Sequence, residues 1–234
     1  MFKKITFIIL FSNNLLFAQN QNEFWSRVNM NTKINSHWVL GIDVQHRRQA
    51  DYLKHEKNIF HYTLTNSIRI WAFYKLKQNW TIIASPVAYF NNENINRASG
   101  NFIHSNELRS MIGASKSFCI GSVINYNRLL YEVDMMGFDS PDITIRHRYR
   151  LFTNFIFPIK KINQTHSLNY NFFNEIFLKT QNGISSFDQN HLYNGFQWKV
   201  KKYDVNVGYQ YTYQKGINSY LHKNQMVLSL NFTM

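Results

Sequence analysis

The sequence predicts an all-β protein: an antiparallel up-and-down transmembrane β-barrel of ten to twelve strands. Three observations point there. Apolar and polar residues alternate with period two through one segment after another. These segments run to roughly 11 to 16 residues, which suits a tilted membrane strand with some overhang, whereas strands of a soluble sandwich are usually about 5–6. The connections alternate short and long, as in outer-membrane barrels.

The segment Asp142–Phe157 shows the pattern best. Ile143, Ile145, Tyr149 and Leu151 share one face with His147, and Thr144, Arg146, Arg148 and Arg150 share the other. A strand that is oily on one face and cationic on the other suits a wall with lipid outside and water inside.

In chain order, Phe24–Ile34 sets Phe24, Ser26, Val28 and Met30 against Trp25, Arg27, Asn29 and Asn31. Trp38–Arg48 follows a tight turn, with Trp38, Leu40, Ile42 and Val44 opposite Asp43, Gln45 and Arg47. After a charged loop at Gln49–Asn58 comes Ile59–Tyr74, where Tyr62, Leu64, Ile68 and Ile70 oppose Thr65, Ser67 and Arg69. Trp80–Phe90 places Trp80, Ile82, Ala84, Pro86, Ala88 and Phe90 in one row. Pro86 donates no ladder bond and predicts a bulge there.

A loop at Asn91–Asn101 precedes the pair Phe102–Ser115 and Phe118–Val133, turning at Ser115–Ser117. Glu107 and Arg109 share a face in the first of these, and Cys119, Asn125 and Asn127 share one in the second. Asp134–Pro141 and Thr180–Phe187 read as longer loops, and His166–Lys179 as a strand with Asn169, Asn171, Phe173 and Glu175 on its polar row. The hairpin Asp188–Lys201 and Tyr203–Gln214 and the terminal strand His222–Met234 complete the wall. That makes eleven segments, while bacterial single-chain barrels have even numbers, so ten or twelve is the expectation.

Targeting agrees with this class. Lys3 and Lys4, an apolar run from Ile5, and Ala18 before Gln19 read as a signal peptide over residues 1–18, although Leu16 departs from the usual small-residue pattern. The run is short and dented at Ser12–Asn14, so it does not read as a membrane helix. The barrel then occupies residues 19–234. A single cysteine, Cys119, rules out an intramolecular disulfide. Aromatic residues make up 17% of the chain, as expected of strands and of barrel girdles.

The formal charge of +13 becomes +11 once Lys3 and Lys4 leave with the signal. These cations are spread over strands and loops, and an exported protein meets little nucleic acid, so nucleic acid is not an expected partner. Outer-membrane lipid, lipopolysaccharide and the barrel-assembly machinery are the expected partners, with a small anionic solute as a further one. The oligomeric state is left open.

The polar rows place Arg27, Asp43, Arg47, Arg69, Glu107, Arg109, Arg146, Arg148, Arg150, Glu175 and Lys199 in the lumen. Buried charges require partners, so Asp43, Glu107 and Glu175 are expected to bridge neighbouring arginines. The remaining cations would attract anions, as arginine and lysine rings do in pores. The expected role is a porin-like passive channel or binding barrel without catalytic, metal or cofactor-binding residues. The alternatives are an outer-membrane hydrolase or a soluble exported barrel or sandwich. None of the histidines sits in GxSxG, HExxH or a compact metal pattern, and Asp188 and His191 fall on opposite faces of a regular strand.

The runs Asn174–Tyr213, Ile145–Phe152 and Trp38–Arg48 resemble the domain-of-unknown-function 2490 family. The resemblance spans essentially the mature chain and implies an exported outer-membrane barrel of a Gram-negative bacterium, with no established activity. The family pattern places an arginine where His191 stands and a terminal aromatic where Met234 stands; Phe232 is the nearest substitute.

Overall fold

A computed structural model of the chain describes residues 20–51, 53–54, 56–95, 100–137, 143–163, 165–216 and 220–234. Residues 1–18, read from the sequence as a signal peptide, lie outside the described residues. Eleven strands form: β1 (Asn20–Lys33), β2 (Trp38–Gln49), β3 (Tyr62–Lys75), β4 (Trp80–Ile95), β5 (Phe102–Ile120), β6 (Val123–Met136), β7 (Thr144–Lys161), β8 (His166–Gln181), β9 (Ile184–Val200), β10 (Tyr203–Lys215) and β11 (Tyr220–Thr233). Each pairs with its sequence neighbours, and β1 pairs with β11 to close the barrel.

The even strand number expected from the sequence is corrected to eleven. In an up-and-down wall of eleven strands the first and last run the same way, so closure is parallel, from Asn20↔His222 to Asn31↔Thr233. Side chains at matched register hold this seam together. Gln225 Nε2 donates to Glu23 at 2.7 Å, Asn29 Nδ2 to Asn231 at 2.7 Å and Asn224 Nδ2 to Asn22 at 3.3 Å. The odd count also sends the two termini to opposite ends of the barrel. Asn20 lies with the longer connections, and Met234 lies with the short turns.

Several sequence expectations need revision, each for a local reason. β5 continues through Ser115–Ser117 to Ile120, and its hairpin turns at Gly121, whose φ of 60° suits glycine. Cys119 therefore belongs to β5. The expected loop at Thr180–Phe187 is a two-residue turn, Asn182-Gly183, with φ of 52° and 76°. Positive φ at both central residues matches the twist of a tight hairpin.

Pro86 does mark a bulge, with register shifts between Arg69 and Ala72 and between Ser85 and Ala88. The bulge inverts the row it interrupts, so Ala88 and Phe90 turn into the lumen while Trp80 and Ile82 stay outside. A shift near Arg47/Arg48 likewise buries Leu64, which the alternation places outside.

The outer face is apolar and solvent-exposed: Ile70 is 49% exposed and Leu129 52%. Aromatic side chains band both rims. Trp38–Tyr74 and Tyr203–Phe232 lie at the short-turn end, and Tyr62–Phe102 and Tyr213–Tyr220 at the other. Ten residues separate Tyr203 from Tyr213 along β10, about 33 Å at ~3.3 Å per residue. Tilted by about 40°, that span measures about 25 Å along the axis, the height of the apolar band of outer-membrane barrels. At the short-turn end, level with the girdle or beyond it, lie nine lysines: Lys33, Lys75, Lys77, Lys116, Lys160, Lys161, Lys199, Lys201 and Lys202. Asp204 is the one acidic side chain at that end among the described residues.

The parallel seam is directly testable. In a Cys119→Ser background, the Ser26→Cys/Leu228→Cys pair occupies Cα-partner positions and should oxidise to an intramolecular disulfide. Ser26→Cys/Asn224→Cys, four residues out of register, should not. Electrophoresis without reductant separates the two outcomes, and equal cross-linking of both pairs would refute the register.

Candidate functional site

The period-two rows converge on a charged lumen. On one side, Asp43 of β2 is fully buried and takes Arg27 Nε at 2.6 Å and Arg69 Nη2 at 2.9 Å. Near the long-loop end, Glu23 accepts Trp25 Nε1 at 2.8 Å and pairs with Lys223 at 3.3 Å.

The larger lattice spans β5 to β9. Arg146 donates to Asp134 through Nε at 2.9 Å and Nη2 at 2.7 Å. Arg148 bridges Glu132, Asp134 at 3.1 Å and Asp188 at 3.5 Å. Arg150 reaches Glu132 at 3.0 Å and Glu175 at 2.9 Å. Glu175 also takes Arg128 at 2.9 Å. Arg109 binds Glu107 through Nε at 2.9 Å, and Asn92 Nδ2 donates to the other oxygen of Glu107 at 3.0 Å. Glu132 and Asp134 are 0% exposed. Carboxylates this deep remain tolerable as ions because several guanidinium donors surround each one.

The same arginines rest on aromatic faces. Arg109 lies 3.8 Å from the Phe90 ring centre, Arg150 4.7 Å from Phe177 and Arg128 4.7 Å from Phe152. Below the lattice, an apolar cluster of Trp71, Ile83, Ala88, Phe90, Met111 and Leu130 fills the β3–β6 side. Across the lumen, Tyr193 stacks on Phe173 at 4.6 Å and covers Gly208, where a Cβ would come within 2.5 Å of the Tyr193 ring. Glycine at 208 lets the ring lie against the wall.

A cavity of about 520 Å³ runs between these layers, from Asn94, Gln214 and Lys223 to Asn154 and Asn231. Arg47 lines it under different conditions from its neighbours. Its guanidinium lies 3.5 Å from the Trp25 ring centre and donates to Gln45 at 3.2 Å. Among the described residues no carboxylate comes within ion-pair distance of it.

Of the residues expected in the lumen, Arg69, Glu107, Arg109, Arg146, Arg148, Arg150 and Glu175 enter the ion-pair lattices with Arg27 and Asp43. Lys199 sits apart, at the short-turn mouth. The expectation of only three acids is wrong, because Glu23, Glu132, Asp134 and Asp188 are also buried there. Arg128, Lys179 and Lys223 join on the cationic side. The signal for three of these lay in β6, where Arg128, Glu132 and Asp134 share one parity. The asparagines obscured it. Asn125 and Asn127 face outward near the short turns and satisfy each other at 2.5 Å, with Thr153 Oγ1 on Asn127 at 2.8 Å.

Asp188 and His191 do not fall on opposite faces. A register shift beside Phe187 turns both inward. His191 packs between Phe177 at 4.8 Å and Trp25 at 5.9 Å. At the long-loop end, His61 Nδ1 pairs with Glu56, with the ring 4.0 Å from Tyr62. No serine hydroxyl is bonded to His61 or His191 among the described residues.

Fold and lumen together define a class: a closed β-barrel, apolar without and ion-paired within. The chain belongs to the family described as "Protein of unknown function (DUF2490)", which matches residues 22–222. No curated protein and no solved structure matches it.

Glu132 should be the most costly single carboxylate to remove. Glu132→Ala takes a shared carboxylate from Arg148 and Arg150 at once, leaving Arg148 on Asp134 and Asp188 and Arg150 on Glu175. It should lower unfolding stability by about 3–5 kcal/mol, read by denaturant titration of the refolded barrel. Arg47→Ala removes a cation–π contact and should cost only about 0.5–2 kcal/mol.

Proposed function

We propose that the protein is an outer-membrane barrel of a Gram-negative bacterium that binds small anions in its lumen and passes them slowly. The observation that carries this is the charge balance of the cavity. Ten cations (Arg27, Arg47, Arg69, Arg109, Arg128, Arg146, Arg148, Arg150, Lys179 and Lys223) meet seven carboxylates among the described residues. Arg47 lines the cavity as the cation left without a carboxylate.

The membrane assignment is supported by the exposed apolar outer face and its two aromatic girdles. A soluble barrel would place that surface against water at a cost of roughly 25 cal/mol per Å². Outer-membrane lipid and lipopolysaccharide surround the barrel in this setting, and the barrel-assembly machinery inserts it.

Binding is favoured over free flow by the size and traffic of the lumen. Ligand pockets typically enclose about 300–1,000 Å³, and the cavity of about 520 Å³ falls within that range. Arg148 reaches Asp188 two strands away and Arg150 reaches Glu175 on the neighbouring strand, so fixed ion pairs line it. A solute therefore moves past fixed charges, one site at a time.

Fractionation should place the protein in the outer membrane, with a band whose gel mobility changes on heating. In planar bilayers it should show small conductance with an anion-selective reversal potential, and Arg47→Ala should move that potential toward zero. A wholly soluble protein, a cation-selective pore or selectivity indifferent to Arg47 would each overturn the assignment.

A further inference from the structure

The short-turn mouth holds a second site, distinct from the lumen lattice. The turns β7–β8 and β9–β10 frame a cleft of about 400 Å³ lined by Lys160, Lys161, Lys199, Lys201, His166 and Thr165. Lys201 N donates to Thr165 O at 2.8 Å and ties the two turns together, while Ile162 N donates to His166 O at 2.9 Å within the β7–β8 turn. Asn163 Oδ1 accepts from Thr165 N at 2.9 Å and Thr165 Oγ1 at 3.1 Å, so the rim is locally ordered.

No carboxylate lines this cleft. Asp204, the register partner of Lys199, lies within electrostatic reach of that lysine but not at ion-pair distance, and accepts from Gln197 Nε2 at 3.4 Å. None of the four cleft lysines takes part in an ion pair among the described residues, whereas every acid of the lumen does. A 400 Å³ space is about 9 Å across if spherical, less than the Debye length of about 10 Å at 0.1 M salt. Ammonium groups turned into that space are therefore not fully screened from one another by salt. Their repulsion is relieved when a multiply charged anion sits between them.

We propose that this cleft binds a phosphoryl group carrying more than one negative charge. Lysine binds phosphate as a mobile point charge. The chemistry is shared by a free phosphate-bearing solute and by the headgroup of an anionic phospholipid at the short-turn face. The inference concerns the mouth alone and holds whatever the lumen carries.

The test is calorimetric titration of inorganic pyrophosphate into the full barrel, refolded in uncharged detergent at low salt. Lys160, Lys161, Lys199 and Lys201 changed together to Gln should weaken binding at least about tenfold. Lys33, Lys75 and Lys77 changed to Gln, at the same end but outside the cleft, should leave it nearly unchanged. If the fourfold variant fails to give the heat-modifiable folded band, Lys199→Glu alone reads the same loss.

Repeating the titration in phosphatidylcholine nanodiscs with and without phosphatidylglycerol identifies the source. Weaker pyrophosphate binding in the anionic discs assigns the cleft to a lipid headgroup, and unchanged binding assigns it to a solute. No binding, or equal weakening in both sets of lysine variants, would show diffuse charge only and overturn the site.

Discussion

A sheet that curls into a barrel must bond its last edge to its first, and every other feature of this molecule follows from how that edge is closed. With eleven strands the closing pair runs parallel, and its hydrogen bonds are slanted and slightly weaker than those of an antiparallel ladder. Side chains reinforce the join where the backbone is weaker: the Glu23–Gln225 and Asn29–Asn231 contacts sit inside and the Asn22–Asn224 contact outside. Because side-chain facing has period two, a one-residue slip at this seam would turn Glu23, Arg27 and their row toward the outer face. The register of one pair thus determines whether the lumen is charged at all.

Once closed, the barrel encloses more charge than a dry interior tolerates, and the arrangement of that charge is the main determinant of its interior. Glu132 and Asp134, adjacent on the even row of β6, would repel each other if alone. Arg146, Arg148 and Arg150, on the facing row of β7, interleave with them and then reach out to Glu175 and Asp188 on β8 and β9. With Arg109 of β5 also beside Glu132 and Asp134, the lattice ties five strands through side chains as well as backbone. It also occupies the cross-section, leaving a polar cavity in place of a wide channel.

Much of this was legible in the sequence wherever a strand was regular. The inward and outward rows of β1, β2, β7, β8 and β10 follow from alternation alone, and with them Arg27, Asp43, Arg146, Arg148, Arg150 and Glu175. Alternation carries only as far as the next bulge, however. Pro86 announces its bulge, but the inversion of Ala88 and Phe90 depends on which strand absorbs the extra residue, a property of the pairing. In β6, polarity alone selected the wrong row, because two asparagines can satisfy each other on an otherwise apolar face while Leu130 shares the inward row with Glu132. The odd strand count was readable as eleven segments. What hid it was a prior about bacterial barrels, not a property of these residues.

The two basic side chains are sorted along the barrel axis in a way that tells their tasks apart. Eight arginines face the lumen, and seven of them meet fixed carboxylates, often through two nitrogens. Nine lysines gather at the short-turn end with no described ion-pair partner, whereas Lys179 and Lys223 join the carboxylates of the lumen. Guanidinium is planar, weakly hydrated and suited to permanent buried pairs; ammonium is strongly hydrated and keeps its charge available to an exchanging ion. Arg47, stacked on Trp25 outside ion-pair distance of any described acid, is the arginine that breaks this division; the neighbouring Glu23 is taken by Trp25, Gln225 and Lys223. Arg47 is thus held by an aromatic face where the other lumen arginines are held by carboxylates, and the proposed anion site rests on that difference.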